Sequence, residues 1–357
     1  MGLSPTTLPG VIAEAMRTQL ASLTEGQALK RTTTGFLDAV RDPAVNGGDR
    51  IRIDRGNGKT RTQKVQYMPK AEKTILASRP ADCEYTEQDG YETDTVELSL
   101  YTGIGFLVDE VYVQQIEEGG AEYIRDSLMR LFDDLARDVN SKAQTAAATG
   151  FGVNQATGLT TVRTIDILNA SADNATLVSG WYDFKNADLM QSNYAEGPFV
   201  VVAQGNFDRF VTNQQWACCN DSGFDLARLG ANGINYFRDQ QVEDTLGANQ
   251  AFVWEPGAVQ WLTFHKYAHM RGAASVFQDG TAYGAYQEAG GNAKGVIMDP
   301  RSGLVYDFIV KQDACGDKYH IGLEMCFDVW TAPTDQVYSG DKLDGTNGLF
   351  RYQFDAV

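Results

Sequence analysis

His265 and His269 stand four residues apart, the spacing that brings two imidazoles onto one helix face and within reach of one metal ion. The chemistry stops there, because position 266 is Lys, no HExxH is present, and the third histidine, His320, is distant in sequence. These histidines are read as packing residues. Adjacent Cys218 and Cys219 offer a thiolate that a histidine would have to activate, yet WACCN carries no nucleophile context. With Cys83, Cys315 and Cys326 they make an odd set without CxxC spacing, expected as reduced, mostly buried thiols of a cytosolic protein. Neither GFGVNQATG nor GGNAKG fits the phosphate-binding loops GxxxxGK[ST] or GxGxxG. Carboxylates are numerous enough, at 47 Asp+Glu, for pairs to arise by chance, so they do not point to glycoside chemistry. The sequence predicts no catalytic residue, no cofactor and no metal, hence no enzyme.

Binding chemistry is concentrated in one place. The stretch RIRIDRGNGKTRTQKVQY carries Arg50, Arg52, Arg55, Lys59, Arg61 and Lys64 against the single acid Asp54, in a chain whose formal charge is -17. Three roles compete for it: a nucleic-acid finger, a substrate-binding loop, or an arm that docks on an acidic copy of the same molecule. A basic β-ribbon can enter a groove and track phosphates. Only one aromatic, Tyr67, lies in the stretch, so base stacking is not its mode. The acidic remainder opposes nucleic acid and anionic membrane over the surface as a whole. Contact with an acidic protein neighbour is the more economical explanation.

The elements that must position this charge follow from pattern. Ile51 and Ile53 alternate with Arg50 and Arg52, Val65 and Tyr67 alternate with Lys64 and Gln66, and Gly56-Asn57-Gly58 supplies an Asn-Gly turn, so the stretch predicts a β-hairpin. Alone it would not hold in water; it needs a partner surface, for which the acid-rich run containing Glu84, Glu87, Asp89, Glu92, Asp94 and Glu97 is a candidate. From Thr93, TDTVELSLYTGIGFLVDEVYV reads as strand joining a core sheet. Ile124, Leu128, Leu131, Phe132, Leu135, Val139, Ala143 and Ala146 then recur at steps of three and four, predicting a helix from about Ala121 to Thr149, roughly 40 Å long, as the spine of a sheet.

The rest of the chain reads as mixed structure: TVRTIDIL, a helix near Trp181 to Asn193, a buried strand Phe199 to Ala203 with a helix beginning near Phe207, and loop over 220–245. Ala251 to Phe264 follows as strand and turn leading to another helix, and GLVYDFIVKQD and YHIGLEMCFDVWTAP as late antiparallel strands. Before the hairpin, residues 1–48 read as an arm, with a short amphipathic helix over Val11 to Leu23 and a turn-rich TTTGFLDAVRDPAVNGGD. At 357 residues, 43% hydrophobic and 22% charged, the chain can bury a large core in two or more sub-domains, and its fold class is α+β. The start lacks the basic and apolar regions of a signal peptide, and its fit to the loose myristoylation pattern is read as chance.

In this order of elements the chain resembles the major capsid proteins of tailed bacteriophages with the Hong Kong 97 fold. FVVVAQGNFDRFVT and AFVWEPGAVQWLTFHKY look like the axial and peripheral stretches of such proteins, above all those of phages infecting Bacteroidetes. The resemblance implies an N-terminal arm (1–48), an extended loop (49–95), a peripheral domain with the spine helix (96–200), an axial domain (201–330) and a C-terminal segment returning to the peripheral domain (331–357). It implies hexamers and pentamers tiling an icosahedral shell around double-stranded DNA, with Arg50, Arg52, Arg55, Lys59, Arg61 and Lys64 clasping a neighbouring copy. Portal, scaffolding and minor capsid or decoration proteins would be the other partners. DNA would be held without sequence-specific contact, and no membrane is involved. The location implied is the virion capsid, assembled in the bacterial host cytoplasm. No charged helical scaffolding segment precedes the arm, so scaffolding would come from a separate protein. No Lys and Asn pair supports covalent crosslinking. An encapsulin-like cellular cage, which shares the fold, and a nucleic-acid-binding protein using the hairpin are the alternatives.

Overall fold

The computed structural model describes residues 34–47, 51–54, 61–68, 91–109, 120–152, 162–168, 199–208, 234–267, 283–287, 293–299, 301–313, 318–334 and 347–356. The long helix is where periodicity puts it. Helix α3 runs Gly120–Ala148, after two short helices, α1 (Gly35–Arg41) and α2 (Pro43–Asn46). Its stripe of Ile124, Leu128, Phe132, Leu135, Val139 and Ala143 is buried, while Ala146 at the far end is only partly covered. Such a stripe is stable only against another apolar surface.

That surface is an antiparallel sheet in the order β10 (Tyr283–Gln287), β11 (Ala293–Met298), β12 (Val305–Gln312), β13 (Lys318–Thr331) and β4 (Leu100–Asp109), with β9 (Val259–Phe264) also pairing β13. β13 is long enough to carry two neighbours end to end on one side, β12 along Tyr319 to Glu324 and β9 along Cys326 to Thr331. On its other side β4 pairs from Lys318↔Asp109 to Phe327↔Leu100. The turn between β11 and β12 is tied to α3 by Arg301, a buried guanidinium that donates to the Met129 carbonyl at 2.9 Å and pairs with Asp299 and Asp133.

A second sheet has the order β5 (Val162–Leu168), β14 (Leu349–Ala356), β8 (Gln250–Trp254), β6 (Phe199–Ala203) and β7 (Ile234–Arg238). β6 is apolar throughout because both its faces are covered: Val200 and Val202 join the core around α3, whereas Phe199, Val201 and Ala203 pack with Phe207, Phe350 and Phe354. Helix α4 (Val242–Leu246) closes against α3 and β8.

Three sequence expectations change here. Residues 35–41 and 43–46, expected as turn-rich arm, are helical, and Gly35, Phe36, Leu37, Ala39, Val40 and Asn46 are buried, with Phe36 wedged between Phe252 and Trp254 at ring distances of 5.1 and 5.5 Å. Gly35 permits this: a Cβ there would fall 2.2 Å from the Arg238 carbonyl oxygen. Loop over 220–245 is replaced by β7 and α4 within its described part. The sheets also do not divide at residue 200. β9 to β13 belong with β4 and the spine helix, and residues 349–356 belong with β6 and β8, because strand pairing rather than chain order groups them. The helices expected over 11–23 and 181–193, and after Phe264, fall outside the described residues.

Candidate intersubunit surface

The basic hairpin is present. β1 (Ile51–Asp54) and β2 (Thr62–Tyr67) pair antiparallel with Ile51↔Tyr67, Arg52↔Gln66, Ile53↔Val65 and Asp54↔Lys64. The acid-rich run supplies a third strand, β3 (Glu92–Glu97), with Thr62↔Glu97 and Tyr67↔Glu92. Glu84, Glu87 and Asp89 lie outside the described residues. Alternation now has a consequence: Val65 and Gln63 point inward and are buried, while Thr62 and Lys64 are exposed.

The inward face is seated on the chain's own sheet. Val65 and Leu98 pack with Leu262, Cys326 and Trp330, with Ile53, Tyr67 and Val96 around them. Gln63 Nε2 donates to the Thr263 carbonyl at 2.7 Å, Trp330 Nε1 to Asp94 Oδ2 at 3.0 Å, and Tyr67 Oη to Glu92 Oε2 at 2.6 Å. Burial pushes the Cys326 thiol up, with Arg61 pulling the other way.

The registers also decide which end of the unit meets the body. β1 ends and β2 begins at the Thr62↔Glu97 end of the unit, where β3 passes through Leu98 into β4, and Leu98 N donates to the Arg61 carbonyl at 3.0 Å. The longer β2–β3 connection leaves from the opposite, Tyr67↔Glu92 end. Of the six basic residues, Arg52 stands in β1, Lys64 is exposed mid-strand in β2, and Arg61 is exposed beside β4 within electrostatic reach of Tyr101 and Cys326. Arg50, Arg55, Lys59 and the Gly56-Asn57-Gly58 turn lie outside the described residues.

Three buried polar groups that the sequence did not mark tie elements of the core to one another. Asn46 is saturated: its Nδ2 donates to the Val40 and Val259 carbonyls at 3.0 and 2.7 Å, and its Oδ1 accepts from Trp254 Nε1 and Gly257 N at 2.9 and 3.2 Å. Replacing it with Ala would strand four buried groups, so Asn46→Ala is expected to lower unfolding free energy by roughly 3 kcal/mol or more. Equilibrium denaturation reads this; a midpoint within error of wild type would refute it.

Asp239 fixes the N-terminal helix to the spine. Its carboxylate accepts from Phe36 N, Gln241 N and Asn140 Nδ2, each at 2.8 Å, and burial pushes its carboxyl upward against those bonds. Asp307 accepts from Lys266 N and Tyr267 N at 2.8 and 3.1 Å; burial pushes it up to about 6, those two bonds oppose the shift, and Glu324 across the strand reinforces it. A folded value above the unfolded one, about 3.9, means a contribution that is full below pH 4 or so and lost as pH rises through about 6. The wild-type denaturation midpoint should therefore gain on that of Asp307→Asn between about pH 7 and about pH 5. Parallel midpoints over that interval would exclude this contribution.

Among the described residues no group of three or more His, Cys, Asp or Glu is placed to hold a metal ion, and no helix is long and apolar enough to cross a membrane. His265 lines a cleft of about 320 Å³ where β9 and β12 follow one another along β13; His269 is outside the described residues. The cation at that cleft, Arg41, is committed to the Ser302 and Gly303 carbonyls at 2.9 and 2.7 Å.

No protein-family model and no curated protein matches the sequence. Solved structures similar to the chain come from phages. The capsid structure of cyanophage P-SCSP1u shares 11% identity at a TM-score of 0.46, covering 87% of this chain and 90% of that one. The capsid of Ralstonia phage GP4 shares 9% identity at a TM-score of 0.45, covering 84% of each chain. A chain of Mycobacterium phage Bobi shares 14% identity at 0.41, covering 92% of this chain and 93% of its own.

Proposed function

We propose that the chain is a self-assembling shell subunit, the major capsid protein of a tailed bacteriophage with the Hong Kong 97 fold. The observation that carries this reading is a basic hairpin, backed by an acidic third strand and seated on the sheet of the spine helix, in a molecule of net charge -17. A cationic rim on an acidic body favours contact between unlike surfaces of identical copies, and such heterologous contacts close into rings. The element order supports the same reading: basic unit, spine helix on a long antiparallel sheet, then a second mixed sheet. In this proposal Arg50, Arg52, Arg55, Lys59, Arg61 and Lys64 face an acidic neighbour, rings of six and five copies build an icosahedral shell, and double-stranded DNA is enclosed without sequence-specific contact. The acidic body suits a container that must not grip its contents.

Negative-stain microscopy of the protein expressed alone tests the reading. Shells, tubes or rings are expected. A monodisperse monomer at high concentration would overturn it.

A further inference from the structure

Strand β4 ends its sheet: it pairs with β13 on one side, and its other edge carries no strand among the described residues. Long edge strands are ordinarily blunted by charge, proline or brevity. β4 has ten residues, and from Leu100 to Val108 it contains no charged residue and no proline. The three large hydrophobics exposed among the described residues all belong to it: Tyr101 at 53%, Ile104 at 36% and Leu107 at 43%. They sit on both faces of the strand, Tyr101 and Leu107 on one and Ile104 on the face that carries α3, so a covering partner must wrap the edge rather than lie on one face.

The backbone direction along the edge can be read. Lys142 Nζ donates to the Tyr101 carbonyl at 2.9 Å from the spine helix, so the N–H and C=O of Tyr101 point away from β13. With a period of two, the outward backbone groups beyond it are those of Gly103, Gly105 and Leu107. Gly103 and Gly105 are both exposed; a Cβ would meet the chain's own Tyr101 hydroxyl at 2.6 Å at the first and the Ile321 carbonyl oxygen of β13 at 2.9 Å at the second, so the outer side of the edge stays bare of side chains there.

We propose that β4 pairs antiparallel with β4 of a second copy about a two-fold axis at Gly105. In that register Gly105 meets its own counterpart, Leu107 stands opposite the second copy's Gly103, Ile104 opposite Phe106, and about six backbone hydrogen bonds form. Large residues thus face small ones on the outer side, and apolar residues face each other on the helix side. The choice of a second copy rests on this self-complementarity and on charge: copies of net charge -17 repel one another, and from Leu100 to Val108 β4 offers an uncharged stretch where they can meet, while Asp109, opposite Tyr101 in this register, lies 4.0 Å from Lys318 of its own chain. Such a contact is isologous, so it joins rings that the heterologous basic unit builds. It deepens the shell reading and rests on it.

The test uses the full chain. Leu107→Lys places a charge on the edge at an exposed position, so the melting transition should be unchanged while particles larger than single rings fall by about tenfold or more. Gly103→Cys protein mixed with Leu107→Cys protein should form a disulfide-linked dimer on mild oxidation, above the level given by either alone or by wild type. Wild-type shell yield from Leu107→Lys, or shells without that register-specific crosslink, would overturn the edge contact and leave the shell reading standing. A crosslinked dimer without rings or shells would do the reverse. A wild-type monomer with no crosslink would remove both.

Discussion

Leu128→Asp should yield no soluble, assembled protein. Leu128 is fully buried in the first half of α3, in the cluster that α1, β4, β13 and the inner face of the second sheet all share. An isolated carboxylate there has no cation to meet, and taking it out of water costs several kcal/mol, a large part of a domain's total stability of about 5–15 kcal/mol. Leu128→Ala is the graded control. It should still fold, with a loss of about 2–5 kcal/mol from lost burial and the cavity left behind. Expression with solubility and thermal melting separate the two; a Leu128→Asp protein that melts and assembles like wild type would mean that the stripe is not buried in solution.

Reversing charge on the basic unit should have the second largest effect, and on assembly rather than on folding. Changing Arg55, Lys59 and Lys64 to Glu should leave the melting transition near that of wild type, because the seat of the unit is made by Val65, Gln63 and Leu98 on the opposite face. Ring formation should be blocked, because like charges would then meet across the contact. Wild-type assembly should weaken toward 1 M salt, where charges are screened over about 3 Å. Variants that assemble normally but have lost affinity for DNA would turn the unit into a groove reader and take the protein out of the shell class. Arg61 is left out of the set because it stands where the unit joins β4, beside the Leu98 N to Arg61 carbonyl bond, so changing it would mix an effect on folding with one on assembly.

The parts of the fold legible in the sequence are those whose partners impose a regular rhythm. Helix α3 buries one stripe along 29 residues, so its pattern survives local exceptions such as the buried Asn140 and Gln144. The β1–β2 hairpin shows because Asn-Gly and alternation coincide, and β6 because it is covered on both faces. β14 carries a readable signal of its own, Phe350, Tyr352 and Phe354 alternating with Arg351 and Gln353. α1 and α2 were not legible: Gly35, Asp42 and Pro43 read as turn residues, and the partners that bury α1, Asn140, Arg238, Asp239, Phe252 and Trp254, are distant in sequence. Asn46 and Asp239 have no local signal either, since their partners lie more than 200 residues away in sequence or on other elements. Within the candidate surface, charge was visible, but the seat on Thr263 and Trp330 was not.

The position of β14 has a consequence for timing. Residues 349–356 lie inside the second sheet, between β5 and β8, which have no other link in the strand order. β8 ends at Trp254, so a ribosome adding about 5–20 residues per second needs on the order of 5–20 s to deliver the strand that fills the gap. Throughout that interval the sheet stays in two pieces. A chain broken off anywhere before residue 349 can never close it, and a nascent chain cannot do so early. Emergence of residues 349–356 thereby sets the earliest moment at which the second sheet can close.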